Sequence, residues 1–365
     1  MTSVSSWRTA AARDSWLGPA ESGGIGWPWS RFHEVMRRWP RLVAFTLMSA
    51  VNGQVSKMDR AGHLRTNQAT LDQMWQRAKI IHVADSRLAV EAGGTKLRYL
   101  TADQVQSLIS SNEYKSGEKY FLGLDALDNE PFFAWSSSPV EPHGEKAPDG
   151  YLTLREIGGL ISEFEMEVSL HTVALANWHR SHTHCARCGA PTSVAQGGAI
   201  RTCDKDQSEH YPRTDSAVIV LVRDHDDRIL LGHQPVWPEG RFSCFAGFLE
   251  PGETFEQCVH REVLEESGVA VREINYLGSQ PWPFPASIMI SFDAVTDFPE
   301  VARPDGQEIT EVKWFSRAEV KAQSDAGTLL LPPNMSVARK MIDRWFASGA
   351  EGKGGAKLIG GETWR

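Results

Sequence analysis

Apolar residues in the first half of the chain fall into short β-type runs that turn residues separate. The clearest runs cover residues 79–83, 97–100 and 119–123. A loop rich in Pro, Gly and charged residues follows at 139–150, and residues 152–182 then show Leu, Ile, Val and Trp at helical spacing. This pattern predicts an α+β domain over residues 61–180 that ends in a linking helix.

The second half of the chain alternates strand-like and helical patterns. Residues 216–222 form a near-continuous apolar run, which is typical of a strand buried on both faces. Residues 253–267 have the pattern of a helix, which Gly268 is well placed to end. The remaining predicted elements are strands at 228–232, 288–292 and 310–315 and a helix at 336–346. Together they predict one α/β domain over residues 213–347.

Length and charge limit the class of protein. A chain of 365 residues is long enough for two or three domains. The net charge of −8 argues against a protein that holds nucleic acid mainly through a basic face. Residues 1–60, rich in Ser, Gly, Arg and Trp, predict a disordered extension, and residues 348–365 predict a flexible tail.

We expect a protein that does not enter a membrane, because no apolar run reaches the roughly 20 residues that span a bilayer. Residues 42–51 follow several arginines and faintly resemble a signal peptide. They lie far from Met1 and lack a cleavage site, so an ordinary short element is the favoured interpretation.

Three of the five cysteines lie close together, as Cys185-x2-Cys188 and Cys203. This clustering favours a metal site over a disulfide framework, and we therefore expect a cytoplasmic protein in a reducing environment. The spacing resembles the first three ligands of a zinc ribbon over residues 181–212, with Asp206 at the position of the fourth cysteine. We expect a closed, structural zinc site, for whose fourth place His210 or His184 competes with Asp206. The alternative is an insert that keeps its fold without the metal.

Three glutamates, Glu262, Glu265 and Glu266, occupy positions i, i+3 and i+4 of the predicted helix over residues 253–267. This spacing places them on one face, where like charges repel. Mg²⁺ or Mn²⁺ would remove the conflict, because both ions prefer hard oxygen ligands, and such a cluster can hold a diphosphate and activate water. The alternative is a solvated acidic face.

The sequence around these glutamates favours the metal site. Residues 247–269 match G-x5-E-x7-R-E-U-x-E-E-x-G-U, where U is aliphatic, and so resemble the Nudix hydrolases. The resemblance implies an α/β/α sandwich with a mixed sheet, metal ligands at the three glutamates, and Arg261 paired with Glu253. We expect Gly247 and Gly252 to provide turns in the loop before the helix.

A second motif, S-Q-P-W-P-F-P-x-S at residues 279–287, resembles the NADH pyrophosphatase subfamily of the Nudix hydrolases. Its three prolines exclude a central strand and predict a stiff loop that displays Trp282 and Phe284, although both aromatics could simply pack on the core. The resemblance implies hydrolysis of NADH, and more slowly of NAD⁺, to a nicotinamide mononucleotide and AMP. It also implies removal of NAD caps from RNA.

The same resemblance assigns residues in this chain. Tyr211 and Phe248 match aromatics that enclose the nicotinamide from two different subunits, which implies a homodimer. Glu308 matches a late glutamate that completes a site for two or three Mg²⁺ or Mn²⁺ ions. The substrate contacts implied are Gln280, Ser287, Met289 and Ala338, although Met289 and Ala338 could also be ordinary core residues.

Two other functions compete with this one. A broader pyrophosphatase, acting for example on ADP-ribose, would use the same chemistry on another substrate. An RNA-binding regulatory module with a vestigial Nudix box belongs to a different class. The intact glutamates and the acidic net charge argue against that module.

Overall fold

A computed structural model describes residues 56–140, 149–352, 355 and 357–360. Most of the predicted extension, and the run over residues 42–51, lie outside the described residues. Residues 56–60 already belong to a domain, because strand β1 (Met58–Asp59) pairs antiparallel with Leu124 and Asp125.

The N-terminal domain is built on a seven-stranded sheet with the order β1-β5-β6-β2-β3-β7, in which β4 pairs with β2. Its other strands are Lys79–Ala84 (β2), Arg87–Ala89 (β3), Tyr99–Leu100 (β4), Glu118–Asp125 (β5), Pro131–Ser136 (β6) and Tyr151–Thr153 (β7). Two helices, Gln68–Trp75 (α1) and Ala102–Ser110 (α2), pack on one face around Ile80 and Phe133. The α+β domain is therefore confirmed.

The single helix predicted over residues 152–182 is wrong at its start. Residues 151–153 pair as β7, a short helix α3 (Leu154–Ile157) ends at Gly158, and the long helix α4 covers Glu163–Ser181. A capping box explains the restart, because the Ser162 side chain accepts from the Glu165 backbone N–H while Glu165 binds back to Ser162. Val168 and Val173 of α4 pack on the second face of the sheet.

The cysteine-bearing insert forms a three-stranded antiparallel sheet with the order β10-β9-β8. Its strands are Thr192–Ala195 (β8), Ile200–Cys203 (β9) and Glu209–His210 (β10). Arg201 of β9, only 4% exposed, ties this sheet to the N-terminal domain. Its Nη1 lies 3.2 Å from a Glu118 carboxylate oxygen and 3.0 Å from the His179 ring.

The C-terminal domain contains a six-stranded mixed sheet with the order β14-β15-β11-β12-β16, and β13 pairs with β11. The β11–β15 pair is parallel and the other pairs are antiparallel. The strands are Asp215–Arg223 (β11), Ile229–His233 (β12), Phe245–Phe248 (β13), Arg272–Trp282 (β14), Ser287–Val295 (β15) and Glu311–Phe315 (β16).

Helices cover both faces of this sheet, as the α/β/α prediction requires. Helix α5 (Phe255–Ser267) packs on the face that carries Val218 and Val220. Helices α6 (Arg317–Asp325) and α7 (Val337–Ser348) pack on the face that carries Ile219 and Leu221. Successive residues of β11 thus serve two cores, which explains its near-continuous apolar sequence.

Two local predictions need correction. Residues 279–282 of the expected loop continue strand β14, which tolerates Pro281 because β14 is an edge strand. The tail expected to be flexible is held at residues 357–360, where Leu358 is 7% exposed and its carbonyl accepts from Arg339 Nη2 at 2.8 Å. Among the described residues, no helix has both the length and the apolar character needed to cross a membrane.

Candidate active site

Helix α5 carries the three glutamates of the Nudix motif at residues 247–269, and local sequence signals determine where this helix begins and ends. At the N-terminus, the Thr254 side chain accepts from the Gln257 backbone N–H, and Gln257 completes a capping box. At the C-terminus, Gly268 takes a left-handed conformation, with φ of 70°. The observed helix begins two residues later than predicted.

Burial divides these three glutamates into two groups. Glu262 and Glu266 are 8% and 4% exposed, whereas the side chain of Glu265 is 60% exposed. Burial, and then the negative charges of Glu262, Glu308 and Asp305, raises the pKa of Glu266 to about 8, although the Ala246 backbone N–H donates to its carboxylate at 3.2 Å. Burial also raises the pKa of Glu262. Buried carboxylates need a compensating positive charge, and a bound divalent cation between Glu262 and Glu266 would supply it.

Glu308 lies close enough to act on both buried glutamates electrostatically, since its charge raises their pKa values. The turn that presents Glu308 depends on Asp305, a residue that the sequence motifs did not identify. Asp305 accepts from the backbone N–H groups of Glu308 at 3.1 Å and Ile309 at 2.7 Å. These and other backbone N–H groups outweigh the effect of burial and lower the pKa of Asp305. The Asp-Gly pair at residues 305–306 is a turn signal that could have identified it.

Arg261 contacts Glu253 as expected, through Nε at 2.7 Å and Nη2 at 2.8 Å. These hydrogen bonds lower the pKa of Glu253 to about 2. The same guanidinium also donates to Glu262 at 2.7 Å and to the Phe248 carbonyl at 3.0 Å. Arg261 therefore holds one buried carboxylate in place, in addition to bracing the loop.

The role expected for Gly247 needs correction. Gly252 lies in a turn with φ of 97°, as predicted, but Gly247 lies in strand β13 with Val218 as its β11 partner. A Cβ atom on Gly247 would lie 1.9–2.2 Å from the Glu262 carboxyl group. Glycine is required at this position because the carboxylate of Glu262 occupies the space that a side chain would fill.

A pocket of about 220 Å³ opens beside Glu266. Pockets that bury a drug-sized ligand measure about 300–1,000 Å³, so this one encloses only part of a dinucleotide. Its lining includes the predicted residues Gln280, Met289 and Ala338. The wall also contains residues that the sequence did not assign to the site, among them Trp237, Arg241, Cys244 and Ile309.

Gln280 lies in the pocket wall, but its amide binds protein backbone. The Gln280 Nε2 donates to the Met335 carbonyl at 2.7 Å, and its Oε1 accepts from the Val337 backbone N–H at 2.7 Å. These bonds join strand β14 to the start of α7 and so position Ala338. Ser287 is 8% exposed and pairs with Trp282 and Asp215 at the start of β15.

The two aromatics expected to enclose the nicotinamide are both on the surface. Tyr211 is 66% exposed and Phe248 is 58% exposed, which is unusual for such large side chains. The Tyr211 hydroxyl donates to a Glu209 carboxylate oxygen at 2.6 Å, which fixes its direction just after β10.

The ligand atoms of Cys185, Cys188, Cys203 and Asp206 all lie within 4.8 Å of one another. The Sγ atoms of Cys188 and Cys203 are 3.5 Å apart. Tetrahedral zinc with bonds of about 2.3 Å would separate two sulfurs by about 3.8 Å, so the spacing fits that ion. Burial acts to raise the pKa of the Cys185 thiol, but the backbone N–H groups of Arg187 and Cys188 outweigh it and lower the pKa to about 6.

Comparison with known proteins bears on both sites. Residues 213–333 match the NUDIX domain family, and residues 180–211 match the NADH pyrophosphatase zinc ribbon domain. The chain is 36% identical over 299 residues to the NAD-capped RNA hydrolase NudC of Mycobacterium bovis. The aligned residues are 79% of this chain and 92% of that protein.

Two further matches cover less of the chain. The NAD-capped RNA hydrolase NUDT12 of Homo sapiens is 37% identical over 198 residues, which are 51% of this chain and 43% of that protein. A solved NUDIX hydrolase from Nitrosomonas europaea is 26% identical with a TM-score of 0.33, and the match covers 38% of this chain and 80% of that one.

Proposed function

We propose that this chain, which belongs to the NADH pyrophosphatase subfamily of the Nudix hydrolases, cleaves the diphosphate of NADH and NAD⁺ to a nicotinamide mononucleotide and AMP. We also propose that it removes NAD caps from the 5′ ends of RNA, the activity for which its relatives are named. One observation carries this proposal. Glu266, which is buried on the same helix as Glu262, lines a pocket whose wall also includes Gln280 and Trp282 of the S-Q-P-W-P-F-P-x-S motif.

The acidic side chains fit a divalent-metal site, since Glu262 and Glu266 are both buried and only Glu262 contacts the Arg261 guanidinium, whereas Glu266 accepts from the Ala246 backbone N–H. We propose that Glu262, Glu265, Glu266 and Glu308 hold two or three Mg²⁺ or Mn²⁺ ions. When bound, such ions stabilise the charge that develops on the diphosphate and lower the pKa of water. Arg261 orients Glu262, the Ala246 N–H orients Glu266, and the pocket binds one base of the dinucleotide.

The substrate is tested by measuring kcat/KM for NADH, NADPH, ADP-ribose and NAD-capped RNA under one set of metal conditions. We expect NADH to exceed ADP-ribose by at least about tenfold, because a pocket for the nicotinamide ring rewards only substrates that carry it. A preference for ADP-ribose would favour the broader pyrophosphatase instead. If the protein hydrolyses none of the four substrates, the result would favour the alternative of a regulatory module whose Nudix motif is vestigial.

We further propose a homodimer whose active sites combine Tyr211 of one subunit with Phe248 of the other. The exposure of both rings supports this arrangement, since each is available to cover a ligand or a partner. Mixing Tyr211→Ala and Phe248→Ala proteins, after unfolding and refolding them together, should restore about a quarter of wild-type activity, because each mixed dimer regains one intact site. If both residues act in the same subunit, the mixture stays as inactive as its parents.

The ribbon should bind one structural zinc ion through Cys185, Cys188, Cys203 and Asp206, in a reducing cytoplasm that keeps the thiols free. Elemental analysis of the purified protein should find about one zinc per chain. Cys203→Ser should abolish zinc binding and lower the unfolding midpoint by several degrees, whereas Asp206→Cys should retain the metal. The matched control is Cys258→Ser, a buried cysteine of the C-terminal core, which should lower stability without losing zinc. Trace zinc in the wild-type protein would contradict the assignment.

A further inference from the structure

The turn between β14 and β15 docks on the N-terminal domain. Phe284 at this turn packs against the core cluster that contains Val168 and Leu175 of α4. The Arg155 guanidinium of α3 lies 4.6 Å from the centre of the Phe284 ring. Phe284 therefore contributes to the contact between the two domains, and Trp282 of the same motif lines the pocket, with the two rings 5.0 Å apart.

Asn177 of α4 fixes the backbone of the same turn. Its Nδ2 donates to two carbonyl groups, that of Pro283 at 2.9 Å and that of Pro285 at 3.2 Å. Its Oδ1 accepts from Arg180 Nη2 at 3.2 Å and from the Ser86 hydroxyl at 3.3 Å. Because a guanidinium only donates, these contacts determine which way the amide points.

We propose that Asn177 is a positioning residue for the nucleotide pocket, although it belongs to a different domain from the one that carries the glutamates. It holds the turn at residues 283–286, and this turn sets where Trp282 and Gln280 enter the pocket wall. Gln280 in turn holds the backbone of Met335 and Val337 at the start of α7, where Ala338 lines the same pocket. A second contact joins the N-terminal domain to the same wall, since the Met335 side chain fills the space beside Gly158.

These contacts, from Asn177 through the turn at residues 283–286 to the pocket wall, predict that losing Asn177 changes KM more than kcat. Loss of Asn177 should loosen the pocket wall and leave the α5 glutamates in place, because their contacts are to Arg261 and Ala246. A loosened wall weakens binding of the base more than it slows cleavage of the diphosphate. An ordinary domain contact would instead lower thermal stability without changing KM.

The test compares Asn177→Ala with Asn275→Ala. Asn275 is an exposed residue of β14 whose side chain also donates to a backbone carbonyl, that of Glu273 at 2.9 Å. We expect Asn177→Ala to raise KM for NADH about tenfold with less than a threefold change in kcat, and Asn275→Ala to change neither. Equal KM values for Asn177→Ala and wild type would overturn the inference, as would an equal rise in the control.

A measurement without substrate separates this inference from the proposed function, on which it rests. Amide hydrogen exchange over residues 279–288 should be faster in Asn177→Ala than in wild type, while exchange in α5 stays unchanged. If wild type cleaves no dinucleotide, the proposed function fails whatever the exchange result. If wild type cleaves NADH and residues 279–288 keep their protection in Asn177→Ala, only the role of Asn177 is lost. Asn177→Asp, which keeps the Arg180 contact but lacks the donor, should show the same exchange even if Asn177→Ala folds poorly.

Discussion

Glu266→Gln is expected to lower kcat for NADH on the order of a thousandfold or more and to leave the fold intact. Glu266 is 4% exposed, borders the pocket and accepts one hydrogen bond, from Ala246. Glutamine keeps the shape and one acceptor oxygen but removes the charge that a divalent cation needs. Initial rates at saturating NADH and Mg²⁺ or Mn²⁺ measure the loss.

Stability should respond in the opposite sense. In the absence of metal, Glu266 is buried beside Glu262, with the charges of Glu308 and Asp305 acting on it. Replacing the Glu266 carboxyl group by a neutral amide removes this repulsion, so Glu266→Gln should keep or raise the unfolding midpoint measured with EDTA. Glu256→Gln, an exposed glutamate in the first turn of the same helix, should leave both kcat and the midpoint unchanged. Near-wild-type turnover by Glu266→Gln would refute the assignment.

The sequence predicted which residues carry the chemistry of the site better than it predicted their burial and their contacts with distant segments. Glu262, Glu265 and Glu266 lie within one helix, so their spacing alone determines which face they share. The Arg261–Glu253 contact, between residues eight apart in one loop and helix, was implied by the resemblance to the Nudix hydrolases. By contrast, Glu262 and Glu265 differ greatly in burial because β13 covers only one side of α5. Because β13 is a separate segment of the chain, the spacing of residues within α5 does not show which of them this strand covers.

What the sequence missed depends on contacts between distant segments. Trp237 and Cys244 reach the pocket only because β12 and β13 bring their connecting loop beside α7. The restart of the linking helix at Ser162 was visible as a capping box, but helical spacing on both sides concealed it. Asn177 could not be assigned at all, since its partners, Pro283 and Pro285, are more than a hundred residues away.

Gly247→Ala is expected to reduce kcat for NADH by about a hundredfold while costing little stability. The added Cβ would overlap the Glu262 carboxyl group, the nearest atom being 1.9 Å away. A terminal carboxylate can rotate away from a methyl group at small cost to the fold, but this carboxylate is a proposed metal ligand. Its displacement would also break the 2.7 Å contact with Arg261. The activity loss and the metal dependence should therefore change together.

Steady-state rates over a range of Mn²⁺ concentrations test this explanation. If the methyl group displaces a ligand, Gly247→Ala should need more Mn²⁺ for half-maximal rate, and excess Mn²⁺ should recover part of kcat. Gly327→Ala provides the contrast, because Gly327 has φ of 72° with no atom within 4 Å of its added Cβ. Alanine there should cost about 1 kcal/mol of stability through backbone strain alone and leave kcat unchanged. If Gly247→Ala instead unfolds early and keeps its turnover per folded molecule, Gly247 serves the sheet and not the metal ligand.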